Sequence, residues 1–182
     1  MRSQAEDDRG PRPQARPAAR GAFGSFHLRG RVTRQIHKMR GNMEHTAERY
    51  FIQTFIRKSR RERLLFELTT ATRRYDGLSR FCHQSRELLD PARIVLSGAD
   101  LECRQDFWHF VERHNETCLL LSPDSGLDNR TMKLHDAIRM AADFHDAVII
   151  IGSTFAVVFG EPVKGGRDKF LLSKGHLTSG VK

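Results

Sequence analysis

The stretch AVIIIGSTFAVVFG, residues 147–160, is the most apolar part of the chain. It is shorter than the roughly 20 residues that an apolar helix needs to span a membrane. Its two apolar runs, Ala147–Ile151 and Phe155–Phe159, are rich in β-branched and aromatic residues, and only Gly-Ser-Thr separates them. The pattern therefore predicts two buried strands. Because a connection this short permits only antiparallel neighbours, the two strands should form a hairpin.

Two further apolar runs, Arg93–Leu96 and Thr117–Leu121, precede this stretch. Amphipathic helical patterns, around Phe107–His114 and Leu134–Ala141, lie between the runs. Strands that have no polar face and alternate with helices are typical of a parallel sheet covered on both sides. With a last strand at Phe170–Leu172, we predict an α/β fold with a mixed sheet of about five strands, ordered βαβαβ and followed by an antiparallel meander.

Two or three helices are expected before this sheet. Phe51 and Phe55 are four residues apart in an apolar stripe, which predicts an amphipathic helix. The segment Gly77–Leu89 has one apolar face and predicts another. Between them, residues 57–63 contain no apolar side chain, so they form either the solvated middle of one helix or the junction of two. We call them the basic corner, and its cations are Arg57, Lys58, Arg60, Arg61 and Arg63.

Most of the net charge of +9 lies at the start of the chain. Residues 1–42 hold 10 basic and 3 acidic residues, a net +7, which leaves +2 for residues 43–182. They are rich in Arg, Pro and Gly and offer little to bury, so we predict a disordered extension. It could be a nucleic-acid-binding arm, a targeting segment, or a stretch absent from the native product if translation starts at Met43. Residues 43–174 are predicted as a single α/β domain and residues 175–182 as a flexible tail.

The cysteine spacing and the absence of known motifs disfavour disulfide-stabilised, metal-binding and cofactor-binding classes of protein. Three cysteines without CxxC spacing disfavour a disulfide framework and a thiolate zinc site. Scattered histidines predict no metal, and the absence of GxGxxG and GxxxxGK[ST] predicts no cofactor. We expect a soluble, cytoplasmic protein with no membrane partner. The sequence decides neither its oligomeric state nor whether it is an enzyme.

Small, hydroxyl-bearing loops follow three of the predicted strands. In open α/β sheets, ligands bind beyond the carboxyl ends of parallel strands, and such loops let backbone N–H groups approach an anion. Turn and capping chemistry also explains the same residues. The hairpin at 160–169 adds a cationic tip. We predict a site for a phosphorylated small molecule or nucleotide, built from Ser97, Gly98, Ser122, Asp124, Ser125, Gly152, Ser153, Lys164 and Arg167.

Two other functions stay open. The basic corner could bind RNA or DNA without catalysis, because long cationic side chains on a helix match a backbone of regularly spaced phosphates. A run of charges is also typical of a solvated helix surface. The third alternative is a protein-interaction domain that contacts its partner through an exposed helical face.

Overall fold

The computed structural model describes residues 46–163 and 166–175, and these form one sheet with helices on both faces. The strands are β1 (Ile94–Ser97), β2 (Thr117–Leu121), β3 (Thr131–Lys133), β4 (Val148–Ile151), β5 (Phe155–Val163) and β6 (Gly166–Ser173). Their order across the sheet is β1-β6-β5-β4-β2-β3, and every neighbouring pair is antiparallel.

The helices are α1 (46–55), α2 (Arg61–Thr69), α3 (Arg74–His83), α4 (Ser85–Leu88), α5 (Gln105–Arg113) and α6 (Leu134–Asp143). Short 3-10 turns occur at Lys58–Arg60, Pro91–Arg93 and Leu101–Cys103. No helix in the described part of the chain is both long and apolar enough to cross a bilayer.

The central strands are buried on both faces of the sheet. In β4, Ile149 and Ile151 pack against α1–α4, whereas Val148 and Ile150 pack against α5 and α6. All four side chains are buried, because successive residues of a strand point to opposite faces and each face is covered by helices. Burial of each such side chain contributes about 1.5–3 kcal/mol. The domain therefore has three layers, helices–sheet–helices.

The predicted mixed βαβαβ sheet of about five strands is wrong. β1 and β2 run in the same direction, but β6, β5 and β4 lie between them, and β4 runs the opposite way. The apolar runs correctly indicate strands that are buried on both faces, but burial on both faces does not require parallel pairing. Helices cover both faces here although all pairs are antiparallel. The sixth strand, β3, is short, and two of its three residues are exposed, so it carries no apolar signal.

The segment before the sheet forms four helices, whereas the sequence pattern predicts two or three. The helix expected at Gly77–Leu89 starts earlier, at Arg74, and is interrupted at Gln84 before α4 begins. At the basic corner two helices meet. Ile56 leaves α1 and forms an isolated antiparallel bridge with Leu89, and a 3-10 turn then leads into α2. The predicted extension at 1–42 and residues 176–182 of the predicted tail lie outside the described residues.

Candidate functional site

The loops that were expected to share one site do not meet. Since β4 is antiparallel to β2, the loop at Gly152–Ser153 lies at the opposite end of the sheet from Ser122. Ser97 is at the same end as Ser122, but four strand spacings, about 19 Å, separate β1 from β2. The topology therefore allows no common pocket for the three loops.

The polar groups of the loop after β2 bind one another. Ser122 is buried, and its hydroxyl donates to the carbonyl oxygen of Ala147 at 3.0 Å and accepts from the N–H of Asp124 at 3.2 Å. The Asp124 carboxylate accepts from the N–H of Gly126 at 2.6 Å. Ser125 is exposed between them. These contacts are those of a capped turn and occupy the groups that a ligand would need.

At the end of β1, backbone geometry accounts for Gly98. Its φ of 149° lies in a region that L side chains rarely adopt, and its N–H donates to the carbonyl oxygen of Lys169 at 3.1 Å. The side chain of Lys169 binds Glu102 at 2.6 Å. Ser97 is exposed beside this turn. Gly98 and Lys169 therefore have structural roles at the point where β1 ends beside β6.

Arg167 is a buried structural residue rather than a ligand-binding one. Only 9% of it is exposed, and its guanidinium lies 5.3 Å from the centre of the Phe159 ring. Burial lowers the pKa of the guanidinium. Its three nitrogens donate to backbone carbonyl oxygens of Gly160, Ala141, Phe144 and Asp146. The side chain thus joins the end of α6 to the β5–β6 hairpin. Lys164, the other cation predicted at this hairpin, lies outside the described residues.

Gly152 and Ser153 border a cleft of about 680 Å³ that we call the β2–β3 cleft. Its floor includes a row across three strands, in which Leu119 is paired with Thr131 on one side and Ile151 on the other. The row lies on the face covered by α1–α4, towards the sheet edge at β3. The volume is within the range of small-molecule sites.

Glu116 precedes β2 and Arg130 precedes β3, so these two lining residues lie at opposite ends of the antiparallel β2–β3 pair. Glu116 accepts hydrogen bonds from the N–H of Ser153 at 2.6 Å and from its hydroxyl at 2.8 Å. A Cβ on Gly152 would lie 2.4 Å from this carboxylate and from the Phe155 ring, so only glycine fits there. Arg130, at the other end, is exposed and has no carboxylate partner among the described residues. The two donors of Ser153 are therefore already occupied by Glu116.

The basic corner presents several cations together. The Nε of Arg57 donates to the carbonyl oxygen of Leu89 at 3.0 Å, and that of Arg61 donates to the carbonyl oxygen of Ile56 at 2.8 Å. These contacts hold each side chain in place. Lys58 and Arg60 are exposed on the 3-10 turn. None of the four cations has a carboxylate partner in the part of the chain that the structure describes.

Arg63 shares its acidic partner with a second arginine. Its Nε lies 3.1 Å from the Glu67 carboxylate, which also pairs with Arg80. Burial, and then the positive charge of Arg63, lower the pKa of Arg80. One carboxylate therefore faces two guanidinium groups, and the positive charge of the corner extends to α3.

The structure also assigns a role to Arg74, which the sequence did not single out. Its guanidinium binds the Asp128 carboxylate through two nitrogens, at 2.5 and 3.0 Å, and Glu48 at 2.6 Å. Burial alone would lower its pKa, but the hydrogen bonds to Asp128 and Glu48 raise it. The contacts join α1 and α3 to the β2–β3 loop. No local signal links residues 54 positions apart.

Two of the three cysteines are unsuited to nucleophilic chemistry. Cys82 and Cys118 are buried, and burial raises the pKa of each thiol to about 12. Cys103 is exposed. Among residues 46–163 and 166–175, no group of three His, Cys, Asp or Glu side chains is placed to hold a metal ion.

Comparisons with known proteins add no functional information. No protein-family model, no curated protein and no solved structure matches this chain significantly.

Replacing Arg167 should destabilise the fold. Arg167→Met removes the donors of four backbone carbonyls, and we expect the free energy of unfolding to fall by about 3 kcal/mol. Arg167→Lys should also lose most of this, since one ammonium cannot span the same carbonyls. The measurement is urea denaturation, with Arg139→Ala, an exposed arginine on α6, as the control. An Arg167→Met midpoint equal to that of the wild type would contradict the assignment.

Alkylation should distinguish the three cysteines. With a pKa of about 12, Cys82 and Cys118 are thiolates in only about one molecule in ten thousand at pH 8, and both are buried. Iodoacetamide at pH 8 should therefore modify Cys103 alone in the folded protein and all three in denaturing urea, as read by mass spectrometry. Equally fast modification of Cys82 in the folded protein would refute its burial.

Proposed function

We propose that this protein binds nucleic acid through its basic corner and does so without catalysis. The observation that carries the proposal is the cluster of cations that have no carboxylate partner among the described residues: Arg57, Lys58, Arg60 and Arg61. Such a cluster attracts a phosphate backbone, because each neutralised phosphate releases condensed counterions.

The fixed orientation of two arginines supports the proposal. Arg57 and Arg61 each use Nε to bind a backbone carbonyl, which leaves the Nη donors of the guanidinium for a phosphate. A side chain that is already held in place loses less conformational entropy on binding. The arrangement supplies charge and orientation, which are the requirements for contacting a backbone of regularly spaced anions.

The proposal is tested by removing two positive charges from the basic corner and, as a control, two from another surface. Lys58→Ala/Arg60→Ala should weaken binding of the full chain to a labelled oligonucleotide about fivefold, since exposed charge pairs contribute about 0.5 kcal/mol each. The slope of log affinity against log salt should fall by about 1.4, at about 0.7 per lost contact to a single strand. Fluorescence anisotropy measures both quantities.

The matched control is Arg113→Ala/Arg139→Ala. It also removes two positive charges, but from α5 and α6 on the opposite face of the sheet. Both double variants keep residues 1–42, so any binding by that basic segment is common to them. If the two variants bound equally well, the basic corner would not be the binding surface.

A second candidate function is binding of a small phosphorylated molecule in the β2–β3 cleft. Gly152 and Ser153, which the sequence indicated, line this cleft, and so does Arg130, which has no carboxylate partner among the described residues. Because Glu116 already occupies the donors of Ser153, the phosphate would lie at Arg130 and the apolar body of the ligand on the floor formed by Leu119 and Ile151. The β2–β3 cleft, unlike the separated strand ends, has the volume for this.

Ligand-induced stabilisation tests this second candidate. AMP should raise the midpoint of thermal unfolding, with about 2.7 kcal/mol of stabilisation at 100 times its dissociation constant, whereas adenosine should not. Arg130→Ala should abolish the shift and Arg139→Ala should keep it. No shift with AMP in the wild type, or an equal shift in Arg130→Ala, would refute the candidate.

A further inference from the structure

Phe66 is a large apolar side chain that points into solvent. It is 62% exposed, although its neighbours Leu64 and Leu68 on α2 are buried. At 100° per residue, Phe66 lies on the side of the helix opposite to Leu64 and Leu68, so the ring makes no contribution to the core. Folding does not account for an aromatic residue at this position.

The ring of Phe66 lies beside the basic corner. Arg63 is three residues earlier on the same helix, and its side chain is 66% exposed. Residues with this spacing are neighbours on a helix surface, with Cβ atoms about 5–6 Å apart. Glu67 faces Arg63 and Arg80, which offset its charge, and Glu62, the other acid on α2, is four residues before Phe66 and also borders the ring. Phe66 therefore presents an exposed aromatic face next to a surface with excess positive charge.

We infer that the basic corner binds single-stranded nucleic acid and that an unpaired base stacks on Phe66. The inference rests on the proposed function and names its substrate class. In a duplex, both faces of each base are covered by its neighbours, so only an unpaired base can offer a face to an outward-pointing ring. A cationic surface with an exposed aromatic residue is the arrangement by which proteins bind single strands without sequence preference.

Tyr75 provides a matched control on the adjacent helix. It is 65% exposed, almost the same as Phe66. On α3, Gly77 and Arg80 face α2, because a Cβ on Gly77 would lie 2.9 Å from the Cβ of Glu67 and Arg80 pairs with the Glu67 carboxylate. At 100° per residue, Tyr75 is about 140–160° away from both. Its ring therefore points away from α2 and from Phe66.

The test compares Phe66→Ala with Tyr75→Ala in the full chain, by anisotropy with a labelled single strand and with the duplex of the same sequence. The wild type should bind the single strand more tightly. Phe66→Ala should weaken single-strand binding about tenfold and duplex binding less than twofold, as expected for one lost stacking contact. Tyr75→Ala should bind both within twofold of the wild type.

Two further variants separate aromatic stacking from apolar contact. Phe66→Leu keeps an apolar side chain without a π-face and should lose most of the single-strand affinity, whereas Phe66→Trp should retain it. Because Phe66 is exposed, all three substitutions should leave the urea midpoint unchanged, so a loss of binding would not reflect unfolding.

The outcomes distinguish this inference from the proposed function. Equal single-strand affinity of Phe66→Ala and the wild type, or equal wild-type affinity for single strand and duplex, would overturn the inference. The proposed function would still stand if Lys58→Ala/Arg60→Ala weakened binding more than Arg113→Ala/Arg139→Ala. No binding of either oligonucleotide by the wild type would overturn both.

Discussion

The burial of the central strands on both faces is the constraint on which the structure depends. All of β4 and the first six residues of β5 are inaccessible to solvent, so neither face of the sheet can remain open. The chain meets this requirement with α1–α4 on one face and α5 and α6 on the other. The first layer precedes the sheet in the chain, and the basic corner belongs to this layer, between α1 and α2.

Arginine has two opposite uses in this domain, and the net charge does not distinguish them. Arg167 and Arg74 are largely enclosed and join elements that are distant in sequence, one through carbonyl oxygens and the other through carboxylates. In the basic corner, Arg57 and Arg61 each donate to the backbone through Nε, and neither has a carboxylate partner among the described residues. The first group joins elements of the fold, and the second is the group that we propose contacts a charged partner.

The sequence predicts those features that depend only on the local pattern of apolar and charged residues. Apolar runs located five of the six strands, and the absence of apolar side chains located the basic corner. Pairing direction could not be obtained in this way, because the runs at Thr117 and Ala147 report burial but not which strand lies alongside. Residue type was equally ambiguous at the predicted site, where Ser122 and Arg167 have the chemistry of ligand-binding residues but bind the backbone. The β2–β3 cleft was missed because its floor joins Leu119 to Ile151, from segments that are separate in sequence.

The pairing of β1 with β6 has a consequence for how the protein is made. Ile94 lies opposite Leu172, so the first strand of the sheet is hydrogen-bonded to the last. A nascent chain emerging from the ribosome cannot complete this edge until nearly the whole domain has been synthesised. Until then β1 has no partner and one side of β5 is open. The β1–β6 edge therefore forms only after β6 has been synthesised, even when the helices of the domain form earlier.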